Sequence, residues 1–275
     1  MRELGFGKPA KAHEKRSFPA SWSTGTVRSM AGFAAKLLAC AAPAFLALTT
    51  AAAAAPAAPY PTMAPIDAYL MDRTQEIALA RSAAPNSISK HASVLVLTRT
   101  GYETAITGTN GFVCWVGRGW VGASDWPERW NPKIRGAECQ NPQAARSVLP
   151  FAKLRTTMIL AGRTTAEIIA RINTAVRTKE IPPLESGAMS YMMSKSSYLT
   201  DAGDVHDMPH LMYFVAVKDA ADWGANAPDS PVIGGSYWFY TPDHEAEIAS
   251  LPPLSVFIAG VATWSDGTPA APHQM

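Results

Sequence analysis

SVLVLTRTGYETAITGTNGFVCWV, residues 93–116, holds three short runs of β-branched and aromatic side chains separated by turn-forming residues. Ser93 to Thr98 is apolar at consecutive positions and reads as a buried strand. Tyr102 to Thr107 reads as a second strand, reached through Arg99-Thr100-Gly101. Gly108-Thr109-Asn110-Gly111 supplies a turn, because Asn-Gly tolerates the positive φ angles of a tight hairpin, and Phe112 to Val116 returns as a third strand. The expectation is an antiparallel meander.

Downstream, Gly117 to Pro142 sets Trp120, Trp126 and Trp130 among Gly, Pro, Asp and Asn, and reads as a long loop. Cys114 and Cys139 bracket it. A disulfide between them would close about 26 residues and stabilise the fold by about 3–4 kcal/mol in the chain-entropy account. The competing role for Cys114, nucleophile or metal ligand, needs a base or further ligands that the sequence does not identify.

Pro142 to Ala161 then predicts helix in two pieces, broken at Pro150 and stopped at Gly162. Thr164 and Glu167 form a capping box opening the clearest helix, in which Ile168, Ile169, Ile172, Ala175 and Val176 recur at helical spacing before Pro182-Pro183. Strand patterns return at Ala188 to Ser194, Leu211 to Val217, Ser236 to Tyr240 and Leu254 to Thr263. No internal repeat is visible. Strands, then helices, then strands predict an α+β fold, a mainly antiparallel sheet with helices on one face.

Upstream, Ile66 to Arg81 reads as a helix between Pro65 and Pro85, and residues 56–65 form a Pro/Ala-rich tether. Residues 66–275 are therefore expected to be a single α+β domain, and the roughly 220 residues after position 55 can bury a sizeable core. Residues 1–55 read as a leader to be removed. Arg2, Lys8, Lys11, Lys15, Arg16, Arg28 and Lys36 stand against Glu3 and Glu14 there, and the uncharged LLACAAPAFLALTTAAAAA follows, residues 37–55, with several small-x-small cleavage sites near Ala53 to Ala55. Met30 offers an alternative start with a more compact basic segment. An uncleaved membrane anchor competes with this reading, but Pro43 interrupts the run and alanine is a weak membrane residue. A lipid on Cys40 fits less well, since Leu37-Leu38-Ala39-Cys40 matches a lipobox only loosely.

With the leader gone, 17 of the 24 basic and 20 of the 22 acidic residues remain, a slightly acidic chain. The basic excess belongs to the leader, so nothing argues for a nucleic-acid partner or for stable membrane insertion after cleavage. A leader and one cysteine pair place the protein in the periplasm or outside the cell.

NGFVCWV (110–116), RWNPKIRG (129–136), ARSVLP (145–150), PPLESGAMSYMMSK (182–195) and PHLMYF (209–214) together resemble a group of uncharacterised exported bacterial proteins. The resemblance spans most of the chain after the leader and implies export, but no activity.

The most pointed constellation is His206-Asp207-Met208-Pro209-His210-Leu211-Met212, preceded by Met189, Met192 and Met193. In an extended backbone His206, Met208, His210 and Met212 fall on one face, offering imidazoles and thioethers of the kind that hold copper, and Asp204, Asp207 and His244 could add ligands for zinc. Against this, Pro209 rules out a helical pair of zinc-binding histidines, and methionines commonly fill sheet cores. Hydrolytic signals are thinner: Ser194-Lys195 lacks S-x-x-K spacing, and Gly235-Ser236 lacks the second glycine of a nucleophile elbow. Tyr191, Tyr198, Tyr213, Trp238 and Tyr240 could line an apolar cleft, with Arg99 and Lys195 as anion anchors. No phosphate-binding glycine loop or dinucleotide fingerprint appears. The leading expectation is a non-catalytic envelope protein that binds a ligand or partner. The alternatives are a copper or zinc protein through His206 and His210, with Met208 as a further ligand, and a hydrolase with an unrecognised site.

Overall fold

Val94, Leu95, Val96 and Leu97 are all buried, so β1 (Ser93–Thr98) has to be covered on both faces, because successive strand residues point to opposite sides. It is covered on both. In the computed structural model, which describes residues 59–201, 208–236 and 251–271, β1 lies inside a sheet with β2 (Gly101–Ile106) antiparallel on one side and β3 (Val113–Gly117) parallel on the other. The expected meander is thus corrected at its second step. The chain leaves β2 at the sheet edge, crosses the start of β1 and pairs on its far side. Gly108 makes the crossing. A side chain there would come within 2.2 Å of the Ser93 amide nitrogen and 2.4 Å of the His91 carbonyl oxygen, and its own amide donates to Ser93 Oγ at 2.9 Å.

A second correction concerns residues 117–142. They include β4 (Gly136–Gln140), fully buried and antiparallel to β3, with Cys114 directly opposite Cys139. The two cysteines form a disulfide at this pair, between neighbouring strands rather than across a free loop. The sheet continues antiparallel through β5 (Met189–Met192), β6 (His210–Val215), β8 (Ser255–Gly260) and, at the far edge, β7 (Val232–Ser236). The fold class is α+β with an eight-stranded, mostly antiparallel sheet. Of the strand expected at Ser236 to Tyr240, only Ser236 lies within the described residues.

The helices do not share one face. α1 (Arg73–Arg81) packs against β1, β3 and β4 on the side where Val94, Cys114, Val116, Ala137 and Cys139 point. α3 (Pro142–Ser147), α4 (Leu149–Leu160) and α5 (Thr165–Arg177) belong to the other side, where Leu95 and Trp115 meet Leu149 and Ala152, and Leu97 joins the cluster holding Phe151, Ile168 and Ile172. A short helix, α2 (Asn86–Ser89), lies between α1 and β1. The helix expected over Ile66 to Arg81 is divided into a 3-10 turn at Ile66–Ala68 and α1, which begins where the Asp72 carboxylate accepts from the Gln75 amide at 3.0 Å. α5 opens with the expected capping box between Thr164 and Glu167.

Under α1 lies a buried ion pair. Arg118 and Glu76 are 0% and 1% exposed and 2.8 Å apart, and Arg118 also donates to the carbonyls of Tyr69 and Val116. No helix among the described residues is long and apolar enough to cross a membrane.

Candidate functional site

Strand pairing brings one row of side chains together on the face shared with α3 to α5. Trp115 lies opposite Glu138, Met192 opposite His210, and Met212 opposite Ile258. Their floor carries a roof made by the segment after β3. Val121 closes a 3-10 turn at Gly119–Val121, Trp126 and Ile134 follow, and Leu199 and Thr200 fill the side. Between floor and roof is a cavity of about 390 Å³, walled mainly by apolar groups, with Arg118, Glu138 and His210 as the ionisable residues among the described ones that line it.

The roof is held by buried polar contacts rather than by regular structure. A side chain at Gly119 would approach the Arg129 carbonyl oxygen to 2.6 Å, so the 3-10 turn sits directly on residues 128–129. The Glu128 carboxylate accepts from Asn131 Nδ2 at 2.8 Å, the Asp201 amide at 2.8 Å and Thr200 Oγ1 at 2.5 Å, tying both sides of the roof together. Arg155 of α4 donates to the Val121 and Gly122 carbonyls at 2.8 and 3.3 Å. Asp201 finishes the clasp. It accepts from Tyr60, Tyr198 and Asn131 and pairs with Lys133 at 2.5 Å. Lys133 and the two tyrosines hold its carboxyl far below the ordinary carboxylate range.

Within the cavity Glu138 differs from its neighbours. Burial pushes its carboxyl up from 4.5 to about 7, against the lowering effect of the Gln140 and Ser190 side chains. Gln140 Nε2 donates to Glu138 Oε1 at 2.7 Å, and among the described residues Glu138 has no cationic partner. Arg118 is already neutralised by Glu76. His210 is 2% exposed, and its Nδ1 lies 2.8 Å from the Met208 carbonyl. A carbonyl only accepts, so Nδ1 carries a proton.

A neighbouring pocket of about 450 Å³ shares Met192, Leu199 and Thr200 with the first and adds Ser194, Lys195, Tyr198, Asp201, Met208 and Trp264. Its charges are paired, Lys195 with Asp266 at 2.9 Å and Asp201 with Lys133.

The residues singled out from sequence are therefore divided. Met192, His210 and Met212 share the cavity, and Met208 lines the second pocket. His206, Asp204, Asp207, His244, Trp238 and Tyr240 lie outside the described residues. Among the described residues no three of His, Cys, Asp and Glu are grouped as metal ligands. The Ser194 hydroxyl lies 2.6 Å from that of Ser82, and Lys195 is held by Asp266, so the two form no nucleophile and base pair. Among the described residues the aromatic cleft does not assemble. Tyr191 packs on Phe112 on the α1 face, Tyr213 belongs to the same row, and Arg99 of the β1 to β2 hairpin pairs with Asp67 of the first 3-10 turn. Glu138 and Trp126 went unnoticed as site residues, because what singles them out is a strand register and a roof that only the fold creates.

No family model, curated protein or solved structure matches this chain.

Proposed function

We propose that this is an exported, non-catalytic protein of the cell envelope that binds an apolar small molecule in the cavity over the β3 to β8 face. The observation that carries the reading is the cavity itself, apolar and roofed by a segment that buried polar contacts hold open. Native cores are packed to crystal-like density, and a lined space of this size falls within the usual range of small-molecule sites. The basic leader and the Cys114–Cys139 disulfide support export to an oxidising compartment. Titration with the neutral fluorophore N-phenyl-1-naphthylamine tests the binding role. Saturable one-to-one binding by the wild type, lost in Ala123→Trp because Ala123 lines the roof side of the cavity and the new indole fills it, is the expected result. Absence of binding, or binding unaffected by the substitution, contradicts it.

A second reading, a copper protein, is supported by one arrangement: Met192 opposite His210, with Met212 on the same wall. Thioether and imidazole donors suit Cu(I). Thermal melts with copper, zinc and chelator decide it. An increase in melting temperature with copper that His210→Ala abolishes supports it, and identical melts exclude it.

A further inference from the structure

The cavity's charge balance narrows the class of ligand, on the basis of the binding role proposed above. Glu138 is 8% exposed and lies in the middle of the floor, with Trp115 opposite it on β3 and the Trp126 indole lining the roof. Its contacts are with neutral groups, chiefly the Gln140 amide. Arg118, the cation lining the same space, has each of its three nitrogens committed: Nε to the Tyr69 carbonyl, Nη1 to the Val116 carbonyl and Nη2 to Glu76. The other ionisable groups near Glu138 are His210 from β6, whose Nδ1 proton is given to Met208, and Tyr102 from β2, whose hydroxyl donates to the Val116 carbonyl at 2.7 Å. An anionic ligand would face a buried carboxylate with no available cation among the described residues to receive it. A neutral ligand would leave that carboxylate as an uncompensated buried charge. A cationic ligand supplies the missing partner, and indole walls suit an ammonium group.

We infer that the cavity takes an apolar amine, whose ammonium group pairs with the Glu138 carboxylate while its apolar body lies against Trp115, Trp126 and Ile258. Three probes with one skeleton separate the ligand classes: 3-phenylpropylammonium, 3-phenylpropanol and 3-phenylpropionate, each titrated calorimetrically into the purified protein at pH 8.5. The amine is expected to bind at least about tenfold more tightly than the alcohol, a difference of about 1.4 kcal/mol, and the propionate more weakly than either. In Glu138→Gln the amine and alcohol should converge to within about twofold. A check on the wild type alone is acidification to pH 5.5, which protonates Glu138 and should erase the amine's advantage over the alcohol. Equal binding of amine and alcohol by the wild type, both blocked by Ala123→Trp, would overturn the cation inference and leave the cavity reading standing. An amine preference that survives in Glu138→Gln would overturn the assignment of Glu138. Failure of all three probes to bind would remove both the inference and the role it rests on.

Discussion

Replacing Glu138 with Gln should change how stability depends on pH, and the size of the change follows from its surroundings. The carboxyl is raised from 4.5 to about 7 by burial. A group raised on folding contributes stability that is fully present below its unfolded pKa and is lost as pH climbs through the folded one. For this shift the loss is about 3 kcal/mol, and at 8% exposure little solvent screening reduces it. Glutamine keeps an oxygen for the Gln140 donor but cannot ionise. Wild type and variant should therefore have similar stability near pH 5, and the variant should gain about 3 kcal/mol on the wild type by pH 8.5. The acidic groups held low in the fold, Glu167, Glu180, Glu185, Asp201 and Asp266, are ionised throughout this window and do not contribute to the difference. Urea unfolding at half-unit pH steps measures the effect. Parallel pH profiles for the two proteins would refute the claim that Glu138 is buried without a cationic partner.

Other consequences are more direct. Glu76→Gln should cost about 3–5 kcal/mol in urea unfolding by leaving Arg118 charged and buried, and addition of Arg118→Met should restore part of that loss. Protein recovered from cells should react with no thiol reagent under denaturing, non-reducing conditions, and a Cys114→Ala/Cys139→Ala variant should lose about 3–4 kcal/mol. A reactive thiol in the wild type would contradict the proposed export. Mass spectrometry of protein from the envelope fraction should give an N-terminus between about Ala51 and Ala58, whereas an intact chain needing detergent would establish an anchor. Thr164→Ala should cost about 1 kcal/mol by removing the cap of α5.

What could be read from sequence was what depends on local pattern. The Thr164 to Glu167 capping box, the helical spacing of Ile168, Ile169 and Ile172, and the β-branched run of β1 each carry their own structure. What escaped depends on distant partners. β4 reads as polar because Glu138 and Gln140 alternate with Ala137 and Cys139, yet it is buried on both faces between β3 and β5. The parallel pairing of β1 with β3 was hidden by an Asn-Gly sequence that resembles a hairpin turn but follows a crossing at Gly108. Burial of consecutive residues in β1 was the available signal, since a strand apolar on both faces needs covering on both, and the helices divide accordingly. Half of the candidate site was legible in the same limited sense. Alternation placed His210 and Met212 on one face, but Glu138, Trp115 and Met192 joined them only through register, and the roof only through the buried contacts of Glu128.

The space between the sheet and its tryptophan-bearing roof is proposed to receive a ligand. Methionine methyl NMR with N-phenyl-1-naphthylamine tests it most directly, because Met192 and Met212 line the cavity while Met71 packs on the opposite face with the α1 cluster. Saturable shifts of the Met192 and Met212 methyl signals with Met71 unmoved are expected. Shifts at Met71 alone, or none at Met192 and Met212 at saturating probe, would contradict it.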